Sequence, residues 1–173
     1  ISRYLSEDSS VMTNSVPGVI QSLLLGGADL SSIKIMNMAG EPVPVQVQQN
    51  LEYDHMVVRN LYGPSEDTTY STIYRLQKDG PVLIGKPIDN TSIHIVGPDN
   101  DLMPIGVAGE IYIGGVQVSQ GYLNNPKLTI EKFLTDPFSK QKGARIYKTG
   151  DIGRWLPDGN IEYLGRRDDQ VKI

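Results

Sequence analysis

Arg59-Asn60-Leu61-Tyr62-Gly63-Pro64-Ser65-Glu66-Asp67-Thr68-Thr69 is the stretch that decides how this chain folds. It follows Val57-Val58, so an apolar run ends in Gly63-Pro64 and then in a cluster of hydroxyls and carboxylates. That order predicts a buried strand handing over at its carboxyl end to a polar loop, where open α/β sheets place their ligands. Upstream, residues 33–38 read as a short strand and Ala39-Gly40-Glu41-Pro42 as the turn leaving it. Residues 43–51 read as a helix despite their β-branched side chains, because a strand, turn, helix, strand order then reaches residues 56–61 by an ordinary crossover. Earlier still, Ser15-Val16-Pro17 predicts the cap and first turn of a helix running to Leu25, which Gly26-Gly27 stops. Residues 1–78 are thus expected to form an α/β portion.

Downstream the period changes. Residues 92–96 and 109–115 read as short strands bounded by turn residues and glycines, and residues 161–164 follow the turn Pro157-Asp158-Gly159-Asn160. A helical interruption is expected over residues 128–133, after Asn124-Asn125-Pro126. These spacings predict a small, twisted, antiparallel, barrel-like portion over residues 79–167.

The composition excludes several classes. Sixteen basic and 20 acidic residues give a formal charge of -4 with no long basic run, which argues against a dedicated nucleic-acid binder and leaves room for a single-nucleotide site. There is no cysteine, so disulfides, thiolate metal sites and cysteine nucleophiles are excluded. His55 and His94 stand far apart with no metal-ligand spacing and read as packing or surface residues, and Asp99-Asn100-Asp101 between prolines reads as a turn. No apolar stretch approaches bilayer length, so no membrane partner is expected and a cytoplasmic location is. Both ends, ISRYLSEDSSVMTN and DDQVKI, read as cuts through a longer chain.

Four ordered motifs carry a resemblance: YGPSEDTT (residues 62–69), GEIYIGGVQVSQGYLNNPKLTIEKF (109–133), YKTGDIGRWLPDG (147–159) and IEYLGRRDDQVKI (161–173). Together they resemble adenylate-forming enzymes, most closely the amino-acid-activating adenylation domains of nonribosomal peptide synthetases. The resemblance implies an internal fragment of the large N-terminal subdomain, with residues 168–173 as a hinge and the truncated start of the C-terminal subdomain. It implies that Glu66 helps to hold Mg²⁺ and that Ser65, where the family more commonly has Thr, meets the α-phosphate of ATP. Taken alone, Ser65 and Glu66 read as the cap of a helix whose first turn includes Asp67 and Thr68. Tyr62 would pack against adenine, Asn60 would read its amino edge, and Gly40 and Glu41 would line the same loop; alone, Tyr62 reads as a core aromatic and Asn60 as a turn residue. Asp151 would receive the ribose hydroxyls beside Tyr163 and Arg166, where turn and surface roles are the alternatives. Asn14, Asn37, Ala39, Leu61, Thr69 and Tyr70 would surround the side chain of the activated acid and suit a moderately sized polar one. Asp168 matches the hinge and Lys172 the segment that approaches the second half-reaction, with a hairpin turn and an exposed lysine as the structural alternative.

The implied reaction joins an amino acid to AMP, releases pyrophosphate, and passes the acyl group to phosphopantetheine on a peptidyl carrier domain, with a condensation domain in the parent synthetase. The upstream phosphate loop, the acidic residue for the α-amino group and the C-terminal catalytic lysine are expected outside these residues, as missing parts of the same domain, so the isolated piece is expected to be inactive. They would lie on another chain, across an insertion, or beyond the ends of the piece. An acyl-CoA or aryl-acid ligase and a noncatalytic interaction module are the alternative classes.

Overall fold

The computed structural model describes residues 12–167, so the expected hinge Asp168 and the expected Lys172 lie outside the described residues. Two five-stranded sheets account for the strands among them. In the first sheet β1 (Met12–Ser15), β2 (Ile35–Ala39) and β3 (Val57–Tyr62) run parallel, and β4 (Thr72–Arg75) and β5 (Lys86–Pro87) follow antiparallel. Helices α1 (Pro17–Leu25) and α2 (Val45–Asn50) are the two crossovers. The expected helix–strand–helix–strand order is therefore present, with β1 an added edge where the sequence showed only a polar opening.

Alternation along the strands decides which face the helices cover. Met36, Met38 and Val58 are fully buried and pack with Ile20 of α1, Val47 of α2 and Leu76 in one apolar cluster. Burying each such side chain contributes roughly 1.5–3 kcal/mol, which holds helices too short to persist in isolation. The N-terminus of α1 differs from expectation in one respect. Its cap is Val16, which supplies no side-chain bond, while Ser15 remains in β1. Glu41, from the turn after β2, accepts the otherwise orphaned Gly18 N–H at 3.3 Å instead.

The second sheet is antiparallel, in the order β10 (Ile161–Arg166), β9 (Arg145–Trp155), β7 (Gly109–Gly115), β6 (Thr91–Val96), with β8 (Phe133–Thr135) also on β9. Helix α3 (Pro126–Lys132) precedes β8 and is capped by Asn125, whose Oδ1 accepts Leu128 N–H at 3.2 Å. The barrel-like portion expected over residues 79–167 is not formed: the sheet is open, and β6 and β10 end it on opposite sides. The reason lies in what meets β10. Ile84 N–H donates to Ile161 O at 3.1 Å, and Ile161 N–H donates to Gly85 O at 2.8 Å. The segment leading into β5 of the first sheet thus occupies the edge that closure onto β6 would require. Ile93, Ile95, Ile111, Ile113 and Ile161 pack against Tyr62 and Ile84, so the two sheets share one core.

Gly85 makes that junction possible. Its φ is +84°, and a Cβ there would lie 2.0 Å from Ile73 O. Gly85→Ala is expected to destabilise the domain by about 3 kcal/mol or more, since backbone strain and a backbone clash act together. A shift of the urea midpoint measures it; an unchanged midpoint would show that the junction relaxes freely.

Candidate functional site

One carboxylate gathers the site. Asp151, in the middle of β9, is 1% exposed. Its Oδ2 accepts the Tyr62 hydroxyl at 2.6 Å, and its Oδ1 accepts Arg166 at 3.1 Å and the Tyr163 hydroxyl at 3.4 Å. Thr149 shapes the approach: its hydroxyl donates to Ile111 O at 2.7 Å and accepts Asp151 N–H at 2.9 Å. Glu110, also buried, accepts Gly150 N–H at 3.0 Å and pairs with Arg167 at 3.5 Å. A buried charge left unpaired would cost several kcal/mol; here it meets a guanidinium and two phenols. Burial, followed by the charge of Asp151, holds the Tyr62 phenol well above its usual pKa, so Tyr62 is a proton donor to Asp151 at all ordinary pH.

Beside this cluster a cleft is lined by Gly40, Glu41, Asn60, Leu61, Tyr62 and Tyr163. Five of the seven residues expected around an adenine and its ribose line this cleft, Gly40, Glu41, Asn60, Tyr62 and Tyr163, while Asp151 and Arg166 lie in the adjoining cluster. Asn60 is buried, and its Nδ2 donates to Leu83 O at 2.7 Å, which leaves its amide oxygen as the acceptor suited to an amino group. The Tyr62 and Tyr163 rings lie 6.1 Å apart and tilted by 43°.

A second, more open cavity adjoins the first. Asn14, Ala39, Ser65, Thr69 and Tyr70 line it, and Gly40 and Gly63 line both. Leu61, expected with this group, lines the first cleft, while Asn37 lies behind and lines neither. Asn37 is buried on β2 in register with Asn14 and donates to its Oδ1 at 2.8 Å. Asn37 Oδ1 is a buried acceptor with no partner, a state rare enough to need a cause.

The loop between the cavities is a single 3₁₀ turn, Ser65–Asp67. Pro64 precedes it without a side-chain cap, so the Ser65 hydroxyl is not the helix cap that the sequence also allowed. Thr68 and Thr69 then take φ of +50° and +88°, conformations that cost a β-branched residue about 1–3 kcal/mol each. Gly63 permits the return of the chain, because a Cβ would lie 2.6 Å from Thr69 O.

Glu66 is half-buried. Tyr122 donates to its Oε1 at 2.7 Å and lies 3.3 Å from the Tyr147 hydroxyl. Among the described residues no group of three or more His, Cys, Asp or Glu could hold a metal. A single carboxylate still fits Mg²⁺, which keeps several waters and takes one or two protein carboxylates beside substrate phosphates. Tyr122, Tyr147, Thr149 and Glu110 escaped the sequence reading. All four sit inside the ordered motifs, but which of them reach Glu66 or the Asp151 turn depends on contacts across the sheets.

A family model for AMP-binding enzymes matches residues 3–123, and the chain belongs to that family. It is 40% identical over 178 aligned positions to tyrocidine synthase 3 of Brevibacillus parabrevis, covering 100% of this chain and 3% of that protein. It is 52% identical over 116 residues to surfactin synthase subunit 2 of Bacillus subtilis (strain 168), covering 66% and 3%. The chain thus spans about 3% of the length of these curated relatives. Among solved structures it superposes on the nonribosomal peptide synthetase FmoA3 with a TM-score of 0.81 and 32% identity, over 90% of this chain and 18% of that one. A second match is holo-PA1221, a synthetase protein containing adenylation and carrier domains, with a TM-score of 0.91 and 25% identity over 99% and 31%. No helix among the described residues is long and apolar enough to cross a membrane.

The Tyr122 hydroxyl generates a pH prediction. Burial first, then its bond to Glu66, pushes its pKa up from 10.0 to about 12. The native phenol holds its proton more tightly than the unfolded one, so the stability it contributes is complete below pH 10 and is lost as pH rises towards about 12. Urea titrations across that window are expected to show a decline that is shallower in Tyr122→Phe, with Tyr62 and Tyr147, also raised, supplying the remainder. An identical decline in both proteins would remove Tyr122 from the linkage.

Proposed function

We propose that this chain forms the nucleotide-binding core of an amino-acid-activating adenylation domain in a nonribosomal peptide synthetase. The observation that carries the reading is the adjacency of two cavities through Gly40 and Gly63, one ending at the Asp151 cluster and the other at Ser65, Thr69 and Tyr70. Adenylate formation needs that arrangement, because a carboxylate must be held against the α-phosphate of a bound nucleotide.

In this reading Tyr62 presents its ring to adenine and Asn60 its amide oxygen to the amino edge, with Gly40 and Glu41 at the rim. Asp151 accepts the ribose hydroxyls, supported by Tyr163 and Arg166; a vicinal diol matches the several acceptor positions of a carboxylate. An oxygen of the amino-acid carboxylate attacks the α-phosphorus, the bond to pyrophosphate breaks, and a mixed anhydride with AMP results. The Ser65 hydroxyl donates to an α-phosphate oxygen as charge builds there. Mg²⁺ held by Glu66 and the phosphates would neutralise that charge. A phosphopantetheine thiol on a carrier domain then attacks the acyl carbon and AMP leaves. Asp168 as hinge and Lys172 near the second step belong to the same proposal, as do a neighbouring condensation domain and a cytoplasmic location where ATP is at hand. The phosphate loop, the acidic partner of the α-amino group and the catalytic lysine would come from other parts of the domain.

The acid pocket supports a polar side chain of moderate size. Asn14, Thr69 and Tyr70 line the open cavity and carry an amide and two hydroxyls, which favours a polar substrate over a purely aliphatic one.

ATP–pyrophosphate exchange across the amino acids, in the full-length protein, tests the reading. Exchange with one or a few polar amino acids is expected; none with any carboxylate would refute it. Glu66→Ala is expected to lower exchange about 10²-fold or more while leaving the affinity for a magnesium-free adenosine analogue within about threefold, since its role is ionic. Equal loss of both would make Glu66 a support of the turn.

A further inference from the structure

Gln117 lies on the second sheet's side of the molecule, in the loop that follows β7. Its Nε2 donates to Asp67 Oδ2 at 3.1 Å and to Tyr70 O at 3.2 Å, and it also bonds the Thr91 hydroxyl. Its backbone oxygen accepts the Thr68 hydroxyl at 2.8 Å. One residue therefore grips the Asp67–Tyr70 segment at three points and ties it to β6.

That segment needs a grip. Thr68 and Thr69 hold left-handed conformations that β-branched residues abandon unless their surroundings impose them. Asp67 is fully buried beneath them, with Oδ2 shared between Gln117 and the Ser71 hydroxyl at 2.7 Å and Oδ1 without a partner. Burial pushes its pKa up, against the lowering effect of the Ser71 and Gln117 bonds. The strained residues are also the ones that line the open cavity, together with Tyr70. None of the Gln117 contacts reaches the cleft at Tyr62 and Asp151.

We infer that Gln117 is a specificity-determining positioning residue: it sets the conformation of the Thr68–Tyr70 wall and thereby which amino-acid side chain the pocket accepts, without contacting substrate or nucleotide. This rests on the reading of the open cavity as the acid pocket. Removing the side-chain bonds to Asp67 and Tyr70 loosens the wall, and discrimination between side chains falls while nucleotide binding is untouched.

The test compares wild type with Gln117→Met, which keeps the length and loses the donors, and Gln117→Ala, in the full-length protein. Two measurements are made: kcat/KM in pyrophosphate exchange for the best and second-best amino acids, with KM for ATP, and hydrogen–deuterium exchange of the peptide covering residues 66–72. In both variants the ratio between the two amino acids is expected to fall about tenfold, with KM for ATP within about twofold, because the side-chain bonds to Asp67, Tyr70 and Thr91 are lost. The loop amides are expected to exchange about tenfold faster or more. An unchanged ratio, or a parallel loss for both amino acids and ATP, overturns the inference. Unchanged loop protection overturns it independently of activity. If wild type activates no amino acid, the adenylation reading fails, and the specificity role falls with it even where the loop measurement still shows the grip.

Discussion

Asp151 is the constraint on which the rest of the molecule depends. A carboxylate with 1% exposure tolerates folding only if its charge is met, and its partners come from both sheets: Tyr62 at the end of β3, Tyr163 and Arg166 on β10. The two sheets must therefore approach at one place and in one register. The core of Ile93, Ile111, Ile113 and Ile161 against Tyr62 and Ile84 supplies the driving force there, while the carboxylate selects among the ways those apolar faces could meet. Gly85 and Ile161 complete the seam with backbone bonds.

The same seam explains why the second sheet stays open. The start of its edge strand β10, at Ile161, is bonded to the chain leading into β5 rather than to β6. An open sheet leaves Tyr163 and Arg166 at an edge beside the cleft. A closed barrel would have turned alternate residues of that strand inward. The cleft and the openness of the sheet share one cause, the docking of one sheet's edge on the connection from the other.

A second layer of residues gives the site its rigidity. Glu110 and Thr149 hold the turn before Asp151, Tyr122 and Tyr147 surround Glu66, and Gln117 holds the strained loop. All five come from the second sheet or its loops, whereas Ser65, Glu66, Thr69 and Tyr70 follow β3 of the first. The first sheet supplies the loop and the opposite sheet holds it in place, a division that allows strained backbone to persist there.

Local chemistry was legible from the residues alone. Pro17 and Gly26-Gly27 bounded α1, the turn Asn124-Asn125-Pro126 announced α3, the glycines flanking 109–115 marked β7, and the order of the motifs placed Tyr62, Ser65, Glu66, Asp151 and Arg166 on one family pattern. Those signals depend on neighbours within a turn or two, which a linear sequence displays. The meeting of Tyr62 with Asp151, 89 residues apart, is of another kind. So are the replacement of the Ser15 cap by Glu41, the open rather than barrel-like second sheet, and the grip of Gln117 on Tyr70. Each depends on distances between elements far apart in the chain. The sequence by itself determined most of the elements and the residue types proposed to carry the chemistry; only the tertiary structure decided which groups meet, because burial and pairing exist only once the two sheets have closed on each other.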